Sequence, residues 1–302
     1  MDNELTLFDR INVIKDTNIK YDLEHNAYIS FSGGKDSTIL HYLLDLALPN
    51  NRIPRVFINT GIEYNAIVKF VKELAEKDNR FAIINPTQSI KKTLETYGYP
   101  FKSKQHSSML SVYKKSGVGK SVKRYLGLIE SNTLFRCPKM LKYQFTPNFT
   151  IKCSDKCCLK MKKEPVHKWE KTNNKSIAIL GLRQGEGGQR ASHKGCVVLD
   201  GDSLVKFKPL NPITDEWEQW FIETYNIKLC ELYYPPFNFK RTGCKGCPFS
   251  LDLQEQLNIM EKYIPNEAKQ CEIIWKPVYD EYRRLNYRLK ANEQIKLDLE
   301  GE

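Results

Sequence analysis

Six residues, Ser32-Gly33-Gly34-Lys35-Asp36-Ser37, constrain this chain more than any others. They follow an apolar run, Ala27-Tyr28-Ile29-Ser30-Phe31, and precede a helical pattern, Thr38-Ile39-Leu40-His41-Tyr42-Leu43-Leu44. A strand feeding a Gly-rich turn that opens a helix lets the backbone approach a ligand closely, because glycine tolerates φ > 0. N–H groups stand exposed at the helix start, where the dipole favours negative charge. Lys35 adds a point charge, and Ser32 and Ser37 add hydroxyl donors. The six are read as a cradle for phosphate or sulfate. The spacing of a Walker loop is absent, as is the G-x-G-x-x-G of a dinucleotide fold. The plain alternative is a Gly-Gly turn carrying a solvated lysine.

Three further β-like runs follow the first. They are Arg55-Val56-Phe57-Ile58-Asn59, ending in Thr60-Gly61; Phe81-Ala82-Ile83-Ile84-Asn85, ended by Pro86; and Ser176 to Gly181. Helical patterns at about 37–48 and 63–78 lie between the early runs. Apolar strands alternating with helices predict an α/β fold, a doubly wound and mostly parallel sheet with flanking helices. Ligands of such sheets bind beyond the carboxyl ends of the strands, which places the Gly-rich loop, Asn59-Thr60-Gly61 and the segment after Gly181 together. Val197 to Val205 reads as a hairpin turning at Asp200-Gly201, and Asp215 to Tyr225 as a helix with an acidic first turn. Residues 1–24 form a helical lead-in, 25–250 the main domain with an irregular basic insertion at about 98–152, and 251–302 a helical C-terminal extension.

The chain has 302 residues, a hydrophobic fraction of 41% and no apolar run long enough to span a membrane. Its acidic N-terminus, Met1-Asp2-Asn3-Glu4, lacks a secretory core, so a cytoplasmic location is expected. The net charge of +11 invites a polyanionic partner. Lys102 to Arg124 holds seven basic residues and no acidic one. Tyr97, Tyr99, Phe101, Tyr113 and Tyr125 are interleaved, so this segment is either a phosphate-contacting, base-stacking surface or a solvated loop.

Two more constellations carry chemistry. Gly181-Leu182-Arg183-Gln184-Gly185-Glu186 continues to Arg190 and presents two arginine forks suited to oxyanions, with Glu186 able to orient one of them. Nine cysteines in a reducing compartment point to metal binding or catalysis rather than disulfides. Cys157-Cys158 is an adjacent pair and Cys244-Lys245-Gly246-Cys247 a C-x-x-C loop. Such thiolates bind an iron–sulfur cluster or, with Cys153, zinc.

In this order the motifs resemble the phosphoadenosine-phosphosulfate reductase family, within the adenine-nucleotide α-hydrolase (PP-loop) superfamily. The matches are the loop at 32–37, Asn59-Thr60-Gly61, Cys157-Cys158 with Pro165, and Gly181-x-Arg183-x-x-Glu186-x-x-x-Arg190. Lys208-Pro209-Leu210, Trp217, Tyr225-Asn226-Ile227, Leu232-Tyr233 and Gly243-Cys244-x-x-Cys247 complete the series. The resemblance implies an ATP- or sulfonucleotide-binding site on Ser32, Gly33, Gly34, Lys35, Asp36, Ser37, Asn59, Thr60, Gly61, Gly181, Arg183, Glu186 and Arg190. It implies a [4Fe–4S] cluster on Cys157, Cys158, Cys244 and Cys247, as in the assimilatory adenylyl-sulfate reductases.

One departure matters. The family's reductases carry a catalytic cysteine in a C-terminal Glu-Cys-Gly-Leu-His motif, and no cysteine here follows Cys271. Three readings stand. The first is ATP-dependent adenylylation and thiolation of a nucleic-acid substrate, tRNA or DNA, drawing on a sulfur donor. The second is reduction of adenylyl sulfate or its phosphorylated form to sulfite, with Cys271 or an outside thiol as nucleophile. The third is a non-enzymatic nucleotide or redox sensor. The candidate catalytic residues are Lys35, which neutralises the anion, Asp36, which orients the loop or takes magnesium, and Arg183. Asn59 and Gly61 are expected near the adenosine. Beyond the nucleotide and a thiol reductant, a homodimer is one assembly open to the chain.

Overall fold

The computed structural model describes residues 2–130, 136–186 and 195–290, and these fall into two compact units. The first unit comprises residues 1–86 and 162–243, and the second 87–161 and 244–302.

The first unit holds a six-stranded sheet of order β3-β2-β1-β4-β6-β5. Its strands are β1 (Ala27–Phe31), β2 (Arg55–Ile58), β3 (Phe81–Ile84), β4 (Ile177–Ile179), β5 (Val197–Asp200) and β6 (Ser203–Phe207). All neighbours pair in parallel except β5 and β6, which form the expected antiparallel hairpin. β1 is buried along nearly its whole length, as a central strand covered on both faces must be. The helices Lys35–Ala47 and Asn65–Lys77 follow β1 and β2. From β1 the chain first builds outward through β2 and β3 and then, from β4, in the opposite direction. The reversal lies between β1 and β4, where ligands of open α/β sheets bind. The doubly wound, mostly parallel fold is therefore as expected, with strand limits differing from the sequence reading by one or two residues.

The lead-in is one helix, Asn3–Tyr21, capped by the Asp2 side chain on the Glu4 N–H. Arg10, buried on this helix, donates to the Pro209 carbonyl at 3.2 Å, and the Asn3 carbonyl accepts from Trp217 Nε1 at 3.0 Å. The lead-in is thus a packed part of the first unit.

The second unit is helical. Its helices are Ile90–Tyr97, Lys104–Ser116, Lys120–Leu126, Leu253–Tyr263 and Pro265–Arg284, with a 3₁₀ stretch at Lys139–Phe145. The segment 98–152, read from sequence as irregular, is a correction. Ser103 caps the Lys104–Ser116 helix through the His106 N–H, and Gly117 and Gly127 end the two helices at positive φ. Its basic residues masked a short apolar spacing, and Phe101, Leu110, Val122, Tyr125 and Leu141 are all buried. No helix among the described residues is long and apolar enough to cross a membrane.

Candidate functional site

The Gly-rich loop leaves β1 at Ser32 and turns at Gly33, whose φ is +72°. A methyl group on Gly33 would stand 2.9 Å from Ile67 Cγ2 and 3.1 Å from Val71 Cγ2, so the loop is pressed onto the Asn65–Lys77 helix. Gly34 caps the Lys35–Ala47 helix with extended backbone. The loop is held by its own hydroxyls. Gly34 N–H donates to Ser32 Oγ at 3.2 Å, Ser32 N–H donates to Ser37 Oγ at 3.2 Å, and Ser37 Oγ donates to the Gly34 carbonyl at 2.9 Å. Lys35 N–H donates to the Tyr233 hydroxyl at 3.0 Å, and that hydroxyl lies 2.8 Å from Thr242 Oγ1. Three hydroxyls, from Ser32, Tyr233 and Thr242, lie within 3.3 Å of the point where a Gly34 Cβ would sit.

The end of β4 meets this loop. A methyl group on Gly181 would lie 2.9 Å from the Asp36 carbonyl carbon and 3.1 Å from the Ser37 nitrogen, so strand end and helix start touch backbone to backbone. Two residues on, Arg183 Nε lies 2.9 Å from Asp36 Oδ1 and 3.0 Å from Glu218 Oε1, and its terminal nitrogen lies 2.8 Å from Asp215 Oδ1. Burial works against the Arg183 charge, but Glu218 and Asp36 outweigh it and hold its pKa above the ordinary value. Lys35 Nζ lies 2.8 Å from Glu218 Oε2. Burial, with the Asp36 charge beside it, pushes the Glu218 carboxyl up to about 8, against the pull of Lys35. Three carboxylates thus share two cations, and the fully buried one is the natural holder of a proton. Lys35, Asp36, Arg183 and Asp215 line a cleft of about 720 Å³ together with Gln184, Asn211, Lys240 and Arg241, and Glu218 lies behind them.

Strand pairing brings the third segment close. Phe31 pairs with Phe57, so the loop and Asn59-Thr60-Gly61 leave adjacent strand ends. Asn59 Oδ1 accepts from Gly61 N–H at 3.2 Å, and Gly61 has a φ of +81°. Thr60 turns inward, its N–H and hydroxyl both on the buried Glu63 carboxylate at 2.7–2.8 Å. Arg190 lies outside the described residues, as does the side chain of Glu186. Asp36 Oδ1 accepts from Arg183 Nε at 2.9 Å.

All four candidate metal cysteines belong to the second unit. Cys157 and Cys158 share the short turn Lys156–Cys158, and Cys244–Cys247 is closed by a Cys247 N–H to Cys244 carbonyl bond of 3.2 Å. The donors fit iron in kind, as two thiol pairs in one unit. Among the described residues, however, no three of His, Cys, Asp and Glu are gathered to hold a metal. The C-x-x-C loop is seated on the Pro265–Arg284 helix. Trp275 Nε1 donates to the Lys245 carbonyl at 3.2 Å, and the Tyr279 and Tyr282 hydroxyls donate to the Gly246 and Pro248 carbonyls. Lys245 points inward to Glu267 at 3.1 Å and Gln270 at 2.8 Å. Cys271 is fully buried under Gly246, and burial pushes its thiol up to about 12.

The basic segment divides into two kinds of residue. Lys104, Lys114, Lys115, Lys120, Lys123 and Arg124 are exposed, whereas Lys102 is half-buried. Phe101 and Tyr125, expected among the aromatics available to stack on bases, are in the core instead. His106 explains why: its ring lies between the Tyr125 hydroxyl at 2.9 Å and Gln144 Oε1 at 2.7 Å, packed on Phe101 and Phe145.

A family model described as the phosphoadenosine phosphosulfate reductase domain matches residues 26–129 and 138–250. The chain belongs to this family. No curated protein matches it. Solved structures similar to it include the phosphoadenylyl-sulfate reductase of Candida auris in its phosphate complex, at 13% identity and a TM-score of 0.44, covering 78% of this chain and 93% of that one. The FMN adenylyltransferase of Candida glabrata is similar at 14% identity and a TM-score of 0.43, covering 77% of this chain, which spans 60% of that one. The U34-tRNA thiolase NcsA of Methanococcus maripaludis with its [4Fe-4S] cluster is similar at 16% identity and a TM-score of 0.40, covering 95% and 81%.

Within the family frame, sequence reasoning missed Glu218, Asp215, Glu63, Lys240 and Arg241. Glu218 was open to detection. Thr214, Trp217, Glu218 and Phe221 follow the i, i+3, i+4, i+7 spacing of one helix face, so the carboxylate sits on the face that buries Trp217 and Phe221. Lys240 and Arg241 carry no such signal, because only the fold brings them to the cleft.

Proposed function

We propose that the chain is a PP-loop enzyme of sulfur transfer, which activates an acceptor with ATP and then thiolates it, the acceptor being a nucleic acid. The cleft of the first unit carries this reading: Lys35, Arg183, Lys240 and Arg241 line one space of about 720 Å³ at the switch point of the sheet. Four cations suit a polyphosphate, and the Gly-rich turn opens the Lys35–Ala47 helix, whose N-terminus favours an anion.

In the proposed step an acceptor oxygen attacks the α-phosphorus of ATP. The new O–P bond forms as the bond from the α-phosphorus to the bridging oxygen breaks, and pyrophosphate leaves with that electron pair. Lys35 and Arg183 stabilise the charge that develops on the leaving group, and Asp36 keeps the guanidinium aimed. Hydrosulfide then attacks the activated carbon, AMP departs with the C–O electron pair, and loss of a proton leaves the thiocarbonyl. Six exposed cations between Lys104 and Arg124 support a polyanionic acceptor through phosphate contacts rather than base stacking. Magnesium would balance the polyphosphate charge. A [4Fe–4S] cluster on Cys157, Cys158, Cys244 and Cys247 would supply a site for holding sulfur. Iron and sulfide analysis of anaerobically purified protein tests it, with loss of iron in Cys244→Ser expected and full iron in that variant refuting the assignment.

Family membership favours a second reading, reduction of adenylyl sulfate or its phosphorylated form to sulfite. Cys271 is no nucleophile for it, being buried and held as the thiol, so an outside thiol would serve. One experiment separates the two. Anaerobic, iron-replete protein is incubated separately with ATP, adenylyl sulfate and phosphoadenylyl sulfate, with a thiol reductant and bulk tRNA or DNA. Pyrophosphate and AMP from ATP, stimulated by nucleic acid, are expected; sulfite without pyrophosphate would replace the first reading by the second.

A further inference from the structure

Glu218 is a carboxyl with no exposed surface. Burying it is costly, and a well-packed apolar residue in place of a buried ion is often as stable or more so. Its place on an apolar helix face therefore calls for a role besides stability. Its two oxygens divide between two chain segments. Oε2 lies 2.8 Å from Lys35 Nζ, on the helix that opens after β1, and Oε1 lies 3.0 Å from Arg183 Nε, in the turn after β4. The packing of the Asp215–Thr224 helix fixes where the carboxyl stands between the two cations. The helix itself is firmly placed. Trp217 and Phe221 stack at 4.9 Å between centroids, and the Thr214 side chain caps it through Trp217 N–H.

Both cations line the cleft, while Glu218 is not among the groups that line it. It stands behind them. Lys35 has a long flexible stem, and its side chain is a quarter exposed. Arg183 has two other carboxylates within reach, Asp36 at 2.9 Å and the exposed Asp215 at 2.8 Å. Glu218 reaches both the ammonium and the guanidinium, one with each of its oxygens.

We propose that Glu218 is a positioning residue of the anion site, fixing the Lys35 ammonium and the Arg183 guanidinium against one buried carboxyl so that both address the same phosphate or sulfate group. The inference rests on the reading of the cleft as a nucleotide site. Two substitutions separate its consequences. Glu218→Gln keeps the shape and one acceptor oxygen, whereas Glu218→Leu keeps only approximate volume.

The test is calorimetric titration of wild type and both variants with ATP and with inorganic pyrophosphate at neutral pH, alongside thermal unfolding. Glu218→Leu is expected to unfold at or above the wild-type temperature yet to bind at least about tenfold more weakly, the size of losing one well-placed polar contact. Glu218→Gln is expected within about threefold of wild type. Rescue by glutamine marks an oxygen that positions the cations, since a purely structural role would move the melting temperature and not the affinity. A folded Glu218→Leu that binds as well as wild type, or better, overturns the proposal. Should leucine prevent folding, Glu218→Met, with its adaptable chain, carries the same comparison. Wild-type protein that binds neither ATP nor pyrophosphate would instead bring down the reading of the cleft, and this inference with it.

Discussion

Gly181 and Asp36 touch backbone to backbone: a methyl group on the glycine would stand 2.9 Å from both the carbonyl carbon and the carbonyl oxygen of the aspartate. Neither partner is a flexible side-chain tip that could move aside. The contact fixes how far the Arg183 turn stands from the first turn of the Lys35–Ala47 helix. Gly181→Ala is expected to force the two apart, at a cost of about 1–3 kcal/mol typical of overpacking. Chemical denaturation should show that loss, and ATP affinity should fall at least about tenfold because Arg183 is displaced from Lys35. An alanine variant with wild-type stability and binding would show that the strand end yields.

Lys35→Ala should spare the fold. Its partner Glu218 keeps Arg183 at 3.0 Å and, with its carboxyl pushed up to about 8, is held mostly protonated at neutral pH. The expected result is a cooperative melt close to that of wild type, with turnover abolished and pyrophosphate affinity reduced more than about tenfold. Retained turnover would remove Lys35 from the chemistry.

Acid should destabilise the second unit through His106. Burial holds its imidazole down at about 4, and both ring nitrogens are already satisfied in the neutral form. Unfolded histidine takes its proton near pH 6.5, so the unfolded chain binds the proton first as pH falls. The stability from keeping His106 neutral is full above about pH 6.5 and is lost progressively down to about pH 4, by up to roughly 3 kcal/mol. Denaturant midpoints at stepped pH should fall over that window in wild type and less steeply in His106→Gln. Equal slopes would place the acid sensitivity elsewhere, for instance at His41, which burial also holds at about 4.

The exposed cations between Lys104 and Arg124 should act additively on nucleic acid. Replacing Lys114, Lys120 and Lys123 singly with Ala should each reduce the salt slope of tRNA or duplex DNA binding by about one, with little dependence on sequence. Binding indifferent to all three would detach the nucleic acid from this face.

The sheet was legible because parallel strands buried on both faces read as unbroken apolar runs, and Ala27–Phe31 and Arg55–Ile58 are such runs. The loop at 32–37 was legible because Gly33 and Gly34 have a conformational and spatial reason to be glycine. The partners of the loop were not. Tyr233, Thr242, Lys240 and Arg241 arrive from a stretch with little regular structure, where no periodicity signals direction. In 98–152 the error was one of weighting. The lysines dominated the reading and masked the short apolar spacing of Val122, Tyr125 and Leu126.

The family match stops at residue 250, but the C-x-x-C turn rests on Trp275, Tyr279 and Tyr282, which lie beyond it. Gly246 has no room to shift, with Tyr279 Oη and Cys271 Sγ 2.5 and 2.7 Å from where its Cβ would be. The packing that supports the C-x-x-C turn therefore extends past the shared domain. A protein trimmed to the family boundary would keep Cys244 and Cys247 and lose the floor beneath them.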